Sequence, residues 1–308
     1  MITFLSGGTG TPKLIQGFRR LISDKDLTVI ANTGDDIWLY GLYISPDIDT
    51  ILYLFSGFLD EEKYWGIKED TFNTLSFLRE MGLDTWFRLG DRDIGLHLQR
   101  TRRVHEGLDF SKITQELKSK LKIEATILPC SDNHIETRII TEKKEDIHFQ
   151  EFWVKYGGNV NIKDVYVKGI ENAKVPPIVL DKMESSDLII VGPSNPITSI
   201  GPIIDITEIR NCLRKNKEKC IAISPIIGDK PVSGPTGKLM SALGKETTPL
   251  GVARIYKDIC DTFVIHETDE KIGRKIEDEI GMEVLRNNII FKNTQDAEKL
   301  ANFILKRS

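Results

Sequence analysis

The chain has 308 residues, of which 40% are hydrophobic and 29% are charged, so it can bury the core of one large α/β domain or of two smaller ones. Its formal net charge of −4 gives no broad positive field, and we therefore expect no nucleic acid among its partners. No apolar run approaches the roughly 18 residues of a membrane span, and the N-terminus lacks the regions of a signal peptide, so we expect a cytoplasmic protein with no membrane partner.

Short apolar runs rich in β-forming residues alternate with longer stretches of helical periodicity, which predicts βαβ units. The expected fold class is therefore α/β, with a Rossmann-like, mainly parallel sheet and helices on both of its faces. The predicted strands are residues 2–6, 27–31, 124–128, 187–192, 220–224 and 262–266. The predicted helices are residues 11–22, 47–56, 70–81, 92–105, 111–121, 205–215, 236–244, 249–260 and 294–306.

The middle of the chain departs from this alternation. Residues 60–122 have the pattern of a mostly helical insertion, and two alternating runs within residues 135–168 favour a hairpin at the edge of the sheet. Because no linker, repeat or low-complexity segment separates these parts, we expect a single α/β domain over residues 1–308 that carries the insertion.

The first predicted strand leads into a glycine-rich turn, Ser-Gly-Gly-Thr-Gly-Thr-Pro-Lys at residues 6–13. Glycines let backbone amides approach an anion closely, and the helix that follows adds its dipole. The turn lacks the Gly-Lys-Ser/Thr of a Walker A loop, and the second strand ends at Asn32 rather than at an acidic residue that would hold an NAD ribose. We predict phosphate or nucleotide binding, with a purely structural turn as the alternative. The residues predicted to bind phosphate here are Gly8, Thr9, Gly10, Lys13 and Asn32.

Four carboxylates follow the second predicted strand within 15 residues. A carboxylate in the first turn of a helix stabilises it by ~0.3–1 kcal/mol, and this role, or that of an Asx turn, could account for one of them. Four such groups after a phosphate loop also indicate a hard cation, because Mg²⁺ takes a few carboxylate oxygens and shares its other positions with phosphate and water. The predicted ligands of Mg²⁺ are Asp35, Asp36, Asp47 and Asp49.

Arginines follow in the predicted insertion. Arg88 and Arg92 could each hold phosphate oxygens with two parallel hydrogen bonds, whereas salt bridges to Asp91 and Asp93 are the alternative. Three further arginines are expected on a solvated helix face or in a secondary phosphate patch: Arg100, Arg102 and Arg103.

Polar turns also follow two later strands, Pro-Cys-Ser-Asp-Asn at 129–133 and Gly-Pro-Ser-Asn-Pro at 192–196. Open α/β sheets bind ligands at the carboxyl ends of their strands, so these turns are expected to complete a crevice, although ordinary polar connections would have the same composition. The residues predicted to contact the ligand here are Ser131, Asn133, Gly192, Ser194 and Asn195.

Taken together, these stretches resemble the 2-phospho-L-lactate transferases of coenzyme F420 biosynthesis, in order and over nearly the whole chain. The most specific matches are Ser-Pro-Asp-Ile-Asp-Thr at 45–50 and Arg-Leu-Gly-Asp-Arg-Asp at 88–93. The other stretches that carry the resemblance are residues 7–10, 32–36, 66–67 and 192–196. Asn133 stands where relatives carry a second aspartate, and its amide brings no charge for a metal but can hydrogen-bond a substrate.

The resemblance implies an Mg²⁺-dependent homodimeric transferase. Its donor would be lactyl-2-diphospho-5′-guanosine, or a phosphoenolpyruvyl analogue as in some relatives. Its acceptor would be the deazaflavin Fo (7,8-didemethyl-8-hydroxy-5-deazariboflavin), and its products coenzyme F420-0 and GMP. We assign catalysis to Asp49 and Arg88, and Fo binding to these two residues and Asp91.

Two other functions remain open at this point. A non-catalytic regulator of a sister family would hold a nucleotide sugar in the same glycine loop, and the stretches 45–50 and 88–93 argue against it. An NAD-dependent oxidoreductase is disfavoured because the second strand lacks its terminal acidic residue.

Overall fold

Within residues 1–307, which this computed structural model describes, seven parallel strands form a central sheet in the order β14-β13-β10-β9-β1-β2-β5. The shorter strands form antiparallel pairs β3-β4 and β11-β12 and a three-stranded sheet β7-β6-β8. The strands in chain order are β1 (Ile2–Ser6), β2 (Leu27–Ala31), β3 (Ile37–Leu39), β4 (Leu42–Ile44), β5 (Thr126–Pro129), β6 (Glu136–Thr141), β7 (Asp146–His148), β8 (Ile162–Lys168), β9 (Leu188–Val191), β10 (Cys220–Ile223), β11 (Ile226–Ile227), β12 (Lys230–Pro231), β13 (Thr262–His266) and β14 (Glu283–Asn287).

Helices cover both faces of the central sheet. They are α1 (Gly10–Phe18), α2 (Pro46–Ser56), α3 (Asn73–Glu80), α4 (Asp91–His105), α5 (Phe110–Lys120), α6 (Pro177–Glu184), α7 (Gly201–Ile204), α8 (Thr207–Lys215), α9 (Thr236–Ala242), α10 (Pro249–Tyr256), α11 (Glu270–Ile280) and α12 (Thr294–Leu305). Successive strand residues point to opposite faces, so Phe4 packs in a core with α1, α2, α5 and α12, while Leu5 packs in a second core with α6, α8, α10 and α11. The predicted α/β class is confirmed. None of the helices in residues 1–307 is both long and apolar enough to cross a membrane.

The strand order reverses direction between β1 and β9. The chain builds the sheet outward from β1 to β2 and β5, then returns to the other side of β1 and continues through β9, β10, β13 and β14. The connections that leave β1 and β9 therefore diverge, and they open a crevice at the carboxyl ends of these two strands. This switch point is where the fold favours a ligand.

The predicted strands and helices are all present, with strand ends within two residues and helix ends within four. β14 is an edge strand in which exposed Glu283 interrupts the apolar pattern, and it was not predicted. Helices α6, α7 and α11 were not predicted either. The hairpin pairs Ile139 with Ile147, but its predicted place at the edge of the central sheet is wrong, because β8 pairs with β6 and makes a separate sheet. The single-domain division with its insertion stays a prediction.

Candidate active site at the switch point

The loops that follow β1 and β9 pack directly on each other. Thr11 N lies 3.1 Å from Ser194 Oγ and donates a hydrogen bond to it, and the two hydroxyl groups are 2.8 Å apart. A Cβ atom at Gly10 would lie 2.1 Å from the carbonyl oxygen of Pro193, and one at Gly192 would lie 2.0 Å from Thr11 Oγ1. Contacts this short exclude any side chain, so both glycines are needed to bring the two loops together.

The Asp47 carboxylate accepts a hydrogen bond from a backbone amide of the glycine-rich turn. Gly8 N donates a hydrogen bond of 2.7 Å to Asp47 Oδ1, and Asn32 Nδ2 donates one of 2.8 Å to Asp47 Oδ2. Burial, and then the charge of Asp49, raise the pKa of Asp47 to about 6 although these two hydrogen bonds act in the opposite direction. The turn therefore already accommodates an anionic group, and that group comes from the N-terminal turn of α2.

Asn32 joins the three segments of the crevice. Its amide nitrogen donates to Asp47 and also to the carbonyl oxygen of Thr198, at 3.1 Å, in the loop after β9. Its side-chain oxygen accepts a hydrogen bond of 2.8 Å from Gly34 N. The predicted phosphate-binding Asn32 is thus fully engaged with the protein and fixes the geometry of the crevice.

The two carboxylates that follow β2 differ in their partners. Asp36 is fully buried and accepts hydrogen bonds from Ser45 Oγ at 2.6 Å and Tyr43 OH at 3.0 Å. Asp35 is 4% exposed, and its Oδ1 forms no hydrogen bond of normal geometry within residues 1–307, although the Thr137 and Asn32 side chains lie close enough to oppose the rise of its pKa. Burial raises the pKa of both groups well above the ordinary value, and the charge of Asp47 adds to the effect at Asp35. An unpartnered buried carboxylate oxygen is costly, so a cation or donor group at Asp35 would relieve it.

The four predicted metal ligands do not converge on one point. No group of three or more His, Cys, Asp and Glu side chains within residues 1–307 is arranged to hold a metal ion. Mg²⁺ is often held by one or two carboxylates together with substrate phosphates, and Asp35 and Asp47 fit this pattern because their charges repel each other and one oxygen of Asp35 is unpartnered. Asp36, Asp47 and Asp49 each already accept hydrogen bonds from protein donors at both carboxylate oxygens, so a cation shared with Asp35 would have to take a second lone pair of Asp47.

Asp49 belongs to a set of buried polar side chains between α2 and α4, which we name the α2–α4 polar seam. Arg100 donates from both terminal nitrogens to the two carboxylate oxygens of Asp49, and His97 Nδ1 lies 3.5 Å from Asp49 Oδ2. The seam consists of Asp49, Tyr53, Asp93, His97 and Arg100. Arg100 is 0% exposed, so its prediction as part of a solvated face is wrong. Because α4 is polar around most of its circumference, the sequence pattern did not reveal which of its faces is buried.

The predicted acceptor-side residues of the insertion lie near the surface. Arg88 is exposed, with its guanidinium carbon 4.5 Å from the centre of the Phe72 ring, and it forms no ion pair within residues 1–307. Asp91 accepts hydrogen bonds from Thr71, Asn73 and Thr74 at the start of α3, and the Thr71 hydroxyl is the largest cause of its lowered pKa. Asp91 therefore organises a helix end, while Arg88 keeps hydrogen-bond donors for a ligand.

Lys13, Ser131 and Asn133 are not gathered at one point either. The Lys13 ammonium lies 4.8 Å from the centre of the Tyr64 ring. Ser131 Oγ donates to the Asn133 carbonyl oxygen at 2.8 Å, and Asn133 Nδ2 donates to the Asn172 carbonyl oxygen at 2.7 Å. Both residues follow β5, two strands from β1 and thus about 10 Å away across the sheet. Contact of Ser131 and Asn133 with the same ligand as the glycine-rich turn stays a prediction.

Further buried polar atoms near the crevice have no partner within residues 1–307. They are Nδ2 of Asn195, Oγ1 of Thr198 and Oγ1 of Thr137. Asn195 Oδ1 accepts a hydrogen bond of 2.9 Å from Ile197 N, which leaves only the amide NH₂ group available. Sequence reasoning selected Asn195 but not the two threonines, because their position depends on how the loops fold over the sheet. Buried groups of this kind are normally satisfied by a ligand or water.

His148 connects the three-stranded sheet to this acidic region. Gln150 N donates to His148 Nδ1 at 3.1 Å, so Nε2 carries the proton and donates to the carbonyl oxygen of Asp36, also at 3.1 Å. Burial lowers the pKa of His148 to about 4. The neutral imidazole is therefore a fixed link between β7 and the turn that carries Asp35 and Asp36.

Two clefts of about 570 and 530 Å³ lie outside the glycine-rich turn. The first is lined by the C-terminal part of α1 and the residues after it, including Arg19 and Asp24. The second is lined by β8, α10 and the loop after β9, including Pro196 and Ile197. Neither cleft is lined by the carboxylates of the switch point, so the candidate site is assigned from the buried charges and the unpartnered polar atoms.

A family model described as "2-phospho-L-lactate transferase CofD" matches residues 2–298. The chain is 42% identical to the 2-phospho-L-lactate transferase of Methanosarcina mazei, over 99% of each chain. It is 41% identical to that of Methanocaldococcus jannaschii, over 99% of this chain and 97% of the relative. The crystal structure of a UPF0052-family protein from Bacillus halodurans is similar in fold, with a TM-score of 0.64, 15% identity, and coverage of 99% of this chain and 98% of that one.

Proposed function

Because the chain belongs to the 2-phospho-L-lactate transferase (CofD) family of coenzyme F420 biosynthesis, we propose that it transfers the 2-phospholactyl group of lactyl-2-diphospho-5′-guanosine to the deazaflavin Fo. The observation that carries the proposal is the family match over residues 2–298. The ribityl hydroxyl of Fo forms a bond to the phosphorus that bears the lactyl group. The bond from that phosphorus to the bridging oxygen breaks, GMP leaves with this oxygen, and the hydroxyl proton passes to a base. The products are coenzyme F420-0 and GMP.

The donor diphosphate is placed at the glycine-rich turn. This assignment is supported by the position of the turn at the switch point and at the start of α1, where backbone amides and the helix dipole favour an anion. The Gly8 amide accommodates a carboxylate in this structure, so a phosphate oxygen would replace Asp47 there. Lys13 and the amide of Asn195 provide further donors.

The acceptor is placed beside the first turn of α2, which carries Asp49. Asp49 would accept a hydrogen bond from the ribityl hydroxyl and so orient it, or take its proton. Arg88 keeps its donors free and is exposed at the segment before α4, so it can hold Fo or the transferring phosphate. Asp91 is assigned an indirect role, because its oxygens already accept several hydrogen bonds at α3.

Mg²⁺ is proposed as the cofactor, held by Asp35 and Asp47 with the donor phosphates. When bound, it supplies positive charge that offsets the charge on the transferring phosphate. The chain itself supports this proposal through a buried carboxylate oxygen without a partner and through the repulsion between the two carboxylates. A homodimer in the cytoplasm also remains part of the proposal.

The test is incubation of the protein with Fo, Mg²⁺ and freshly prepared donor, with GMP release and the mass of the deazaflavin product as readouts. We expect stoichiometric GMP and F420-0, and none of either after exhaustive treatment with EDTA. A parallel reaction with the phosphoenolpyruvyl donor identifies the three-carbon acid. Absence of turnover, together with binding of a nucleotide sugar, would instead support a regulator of the sister family.

Arg88 and Arg92 provide a matched pair of variants for the same assay. Both are exposed and lie over aromatic rings, at 4.5 Å from Phe72 and 4.9 Å from Phe58. Arg88→Lys keeps the charge but cannot form two parallel hydrogen bonds. It is expected to lower turnover with no change in melting temperature, whereas Arg92→Lys leaves turnover unchanged. An equal loss of turnover in both variants would contradict a specific role for Arg88.

A further inference from the structure

Arg100 lies at the centre of the α2–α4 polar seam. α2 supplies Asp49 and Tyr53, four residues apart, and α4 supplies Asp93, His97 and Arg100 at spacings of four and three, so each set lies along one helix face. All five residues are at most 7% exposed. Apolar residues normally fill a buried interface between two helices, so a continuous polar set at this place calls for a role other than packing.

Two sets of hydrogen bonds meet at His97 in the seam. Arg100 donates to both oxygens of Asp49, and its Nη1 also donates to His97 Nδ1 at 3.1 Å. Because arginine has no acceptor, His97 Nδ1 must accept and Nε2 carries the ring proton. Nε2 lies 3.3 Å from Asp93 Oδ1 but is not aligned for a hydrogen bond, and the same oxygen accepts a hydrogen bond from Tyr53 OH. Hydrogen bonds therefore join Asp49, Arg100 and His97, while Asp93 and Tyr53 form a second bonded pair beside His97.

Stability does not explain this arrangement. Removing two charges from water costs about as much as their attraction returns, and apolar pairs of similar volume often serve a fold equally well. Arg100 is the only buried arginine or lysine side chain within residues 1–307, and its charge also acts on Asp36. The one buried cation of the described chain is therefore placed where the acidic residues of the crevice meet α4.

The position of Asp49 connects the seam to the candidate site. It lies in the first turn of α2, two residues after Asp47, whose carboxylate touches the glycine-rich turn. Each carboxylate oxygen has a second lone pair, so Asp49 can accept a hydrogen bond from a ligand hydroxyl while both bonds from Arg100 persist. A carboxylate that is hydrogen-bonded at both oxygens has one orientation, and a group that orients a nucleophile requires such a fixed orientation.

We propose that Arg100 is a positioning residue of the transferase: its paired hydrogen bonds fix the plane of the Asp49 carboxylate toward the acceptor hydroxyl, and His97 contacts Arg100 from the other side of the seam. The assignment rests on the proposed function, in which Asp49 contacts the acceptor. Arg100 itself touches no substrate.

The first test is Arg100→Lys, which keeps the charge but loses the paired hydrogen bonds. We expect kcat to fall by about 10–100-fold and KM for Fo to rise, with KM for the donor unchanged. The matched control is Arg103→Lys on the same helix, where the guanidinium binds Glu116 outside the seam, and it should stay within about twofold of the wild type. Melting temperatures establish that every variant is folded at the assay temperature.

The second test is a double-mutant cycle with Asp49→Asn. If Arg100 acts through Asp49, Arg100→Lys changes kcat by less than about twofold in the Asp49→Asn background. The proposal is overturned if folded Arg100→Lys has wild-type kcat. It is also overturned if the substitution lowers kcat by the same factor in the wild-type and Asp49→Asn backgrounds. Wild-type turnover by Asp49→Asn would also overturn it, while absence of GMP release by the unmodified protein would reject the proposed function itself.

Discussion

At Asp47, a side-chain carboxylate occupies a backbone amide that a substrate phosphate would need. Its Oδ1 accepts the hydrogen bond of Gly8 N at 2.7 Å beside the start of α1, where a helix favours anions. Burial and the charge of Asp49 raise the pKa of Asp47 to about 6, so the ionised group is poorly stabilised there. Phosphate binding at this amide therefore exchanges one anion for another.

Asp47→Ala is expected to bind inorganic pyrophosphate about tenfold more tightly than the wild type in metal-free buffer. The variant leaves the Gly8 amide without a competitor, and a hydrogen bond to a charged group is worth ~1.5–3 kcal/mol. Titration calorimetry in the presence of EDTA measures the effect. Asp35→Asn is the control, since it removes a neighbouring charge but leaves Gly8 occupied. An equal gain in that variant would mean that charge, and not occupancy of the amide, limits binding.

Among the elements, helices α1 and α4 allow a direct comparison of two glycines, one packed against the loop after β9 and one exposed. In Gly10→Ala the new Cβ atom would meet the Pro193 carbonyl oxygen at 2.1 Å, so we expect a loss of about 1–3 kcal/mol in the free energy of unfolding. Gly95 in α4 is exposed and has nothing within 4 Å of its Cβ position, so Gly95→Ala should gain ~0.5–1 kcal/mol. Urea unfolding measures both, and a Gly10→Ala variant as stable as the wild type would contradict the close packing of the loops.

The three-stranded sheet contributes a pH dependence through His148. Burial lowers the pKa of His148 from 6.5 to about 4. Between these values the unfolded chain binds a proton that the folded chain does not. The stabilising contribution of His148 to the free energy of unfolding is therefore complete above pH 6.5 and is lost as the pH falls toward 4. The 2.5-unit difference corresponds to about 3 kcal/mol. Asp47 has the opposite trend, because its pKa is raised from 3.8 to about 6, so only a comparison with a His148 variant isolates the effect.

The measurement is the free energy of unfolding of the wild type minus that of His148→Gln, taken from pH 7 to pH 4. We expect this difference to shrink by up to about 3 kcal/mol over the range. His105→Gln serves as the control, because His105 is exposed on α4, and its difference from the wild type should stay constant. A constant difference for His148→Gln as well would show that the imidazole is not held neutral in the fold.

The sequence predicts those elements whose pattern is complete within one segment. The run at 187–192 is continuously apolar between its ends because both faces of β9 are covered, and its assignment is unambiguous. β14 lies at the edge of the sheet and mixes buried with exposed positions, so its pattern is weak. In α11 the Glu, Lys and Arg residues dominate the composition, and its narrow apolar stripe was overlooked.

The same distinction applies to the candidate site: features formed within one segment could be predicted, and contacts between distant segments could not. The glycine-rich turn is recognisable because the strand, glycines and helix that define it are contiguous in sequence. The pairing of Asp49 with Arg100 joins residues 51 positions apart, and only the packing of α4 on α2 brings them together. The exposure of Arg88 and the role of Asp91 at α3 likewise depend on how the insertion folds, which residue types alone do not specify.

At the scale of the whole molecule, the two ends of the chain pack on each other. Leu300 and Ile304 of α12 are fully buried in the same core as Phe18 of α1, and Arg20 binds Glu298 at 2.7 Å. The tryptophans lie elsewhere, in the small sheets and the predicted insertion, at Trp38, Trp65, Trp86 and Trp153. If the chain is one cooperative unit, destabilising its ends must also destabilise the surroundings of these tryptophans.

Leu300→Ala is therefore expected to lower the free energy of unfolding by about 2–5 kcal/mol in a single transition. Tryptophan fluorescence and far-ultraviolet circular dichroism should report the same shifted midpoint. Leu98→Ala is the control, because Leu98 is 55% exposed and its truncation should leave the midpoint in place. A fluorescence transition that does not move with Leu300→Ala would divide the chain into independent domains.

The place of β1 in the sheet sets the order of events during synthesis on the ribosome. β1 pairs with β2 on one side and with β9 on the other, and the second pairing joins Ile2 to Leu188. At ~5–20 residues per second, the intervening chain takes roughly 10–40 s to translate. During that interval β1 is the edge strand of the nascent β1-β2-β5 sheet, and its unpaired edge can pair with other chains. Crowded polysomes, where many such edges are exposed at once, are thus the setting in which this protein most needs a chaperone.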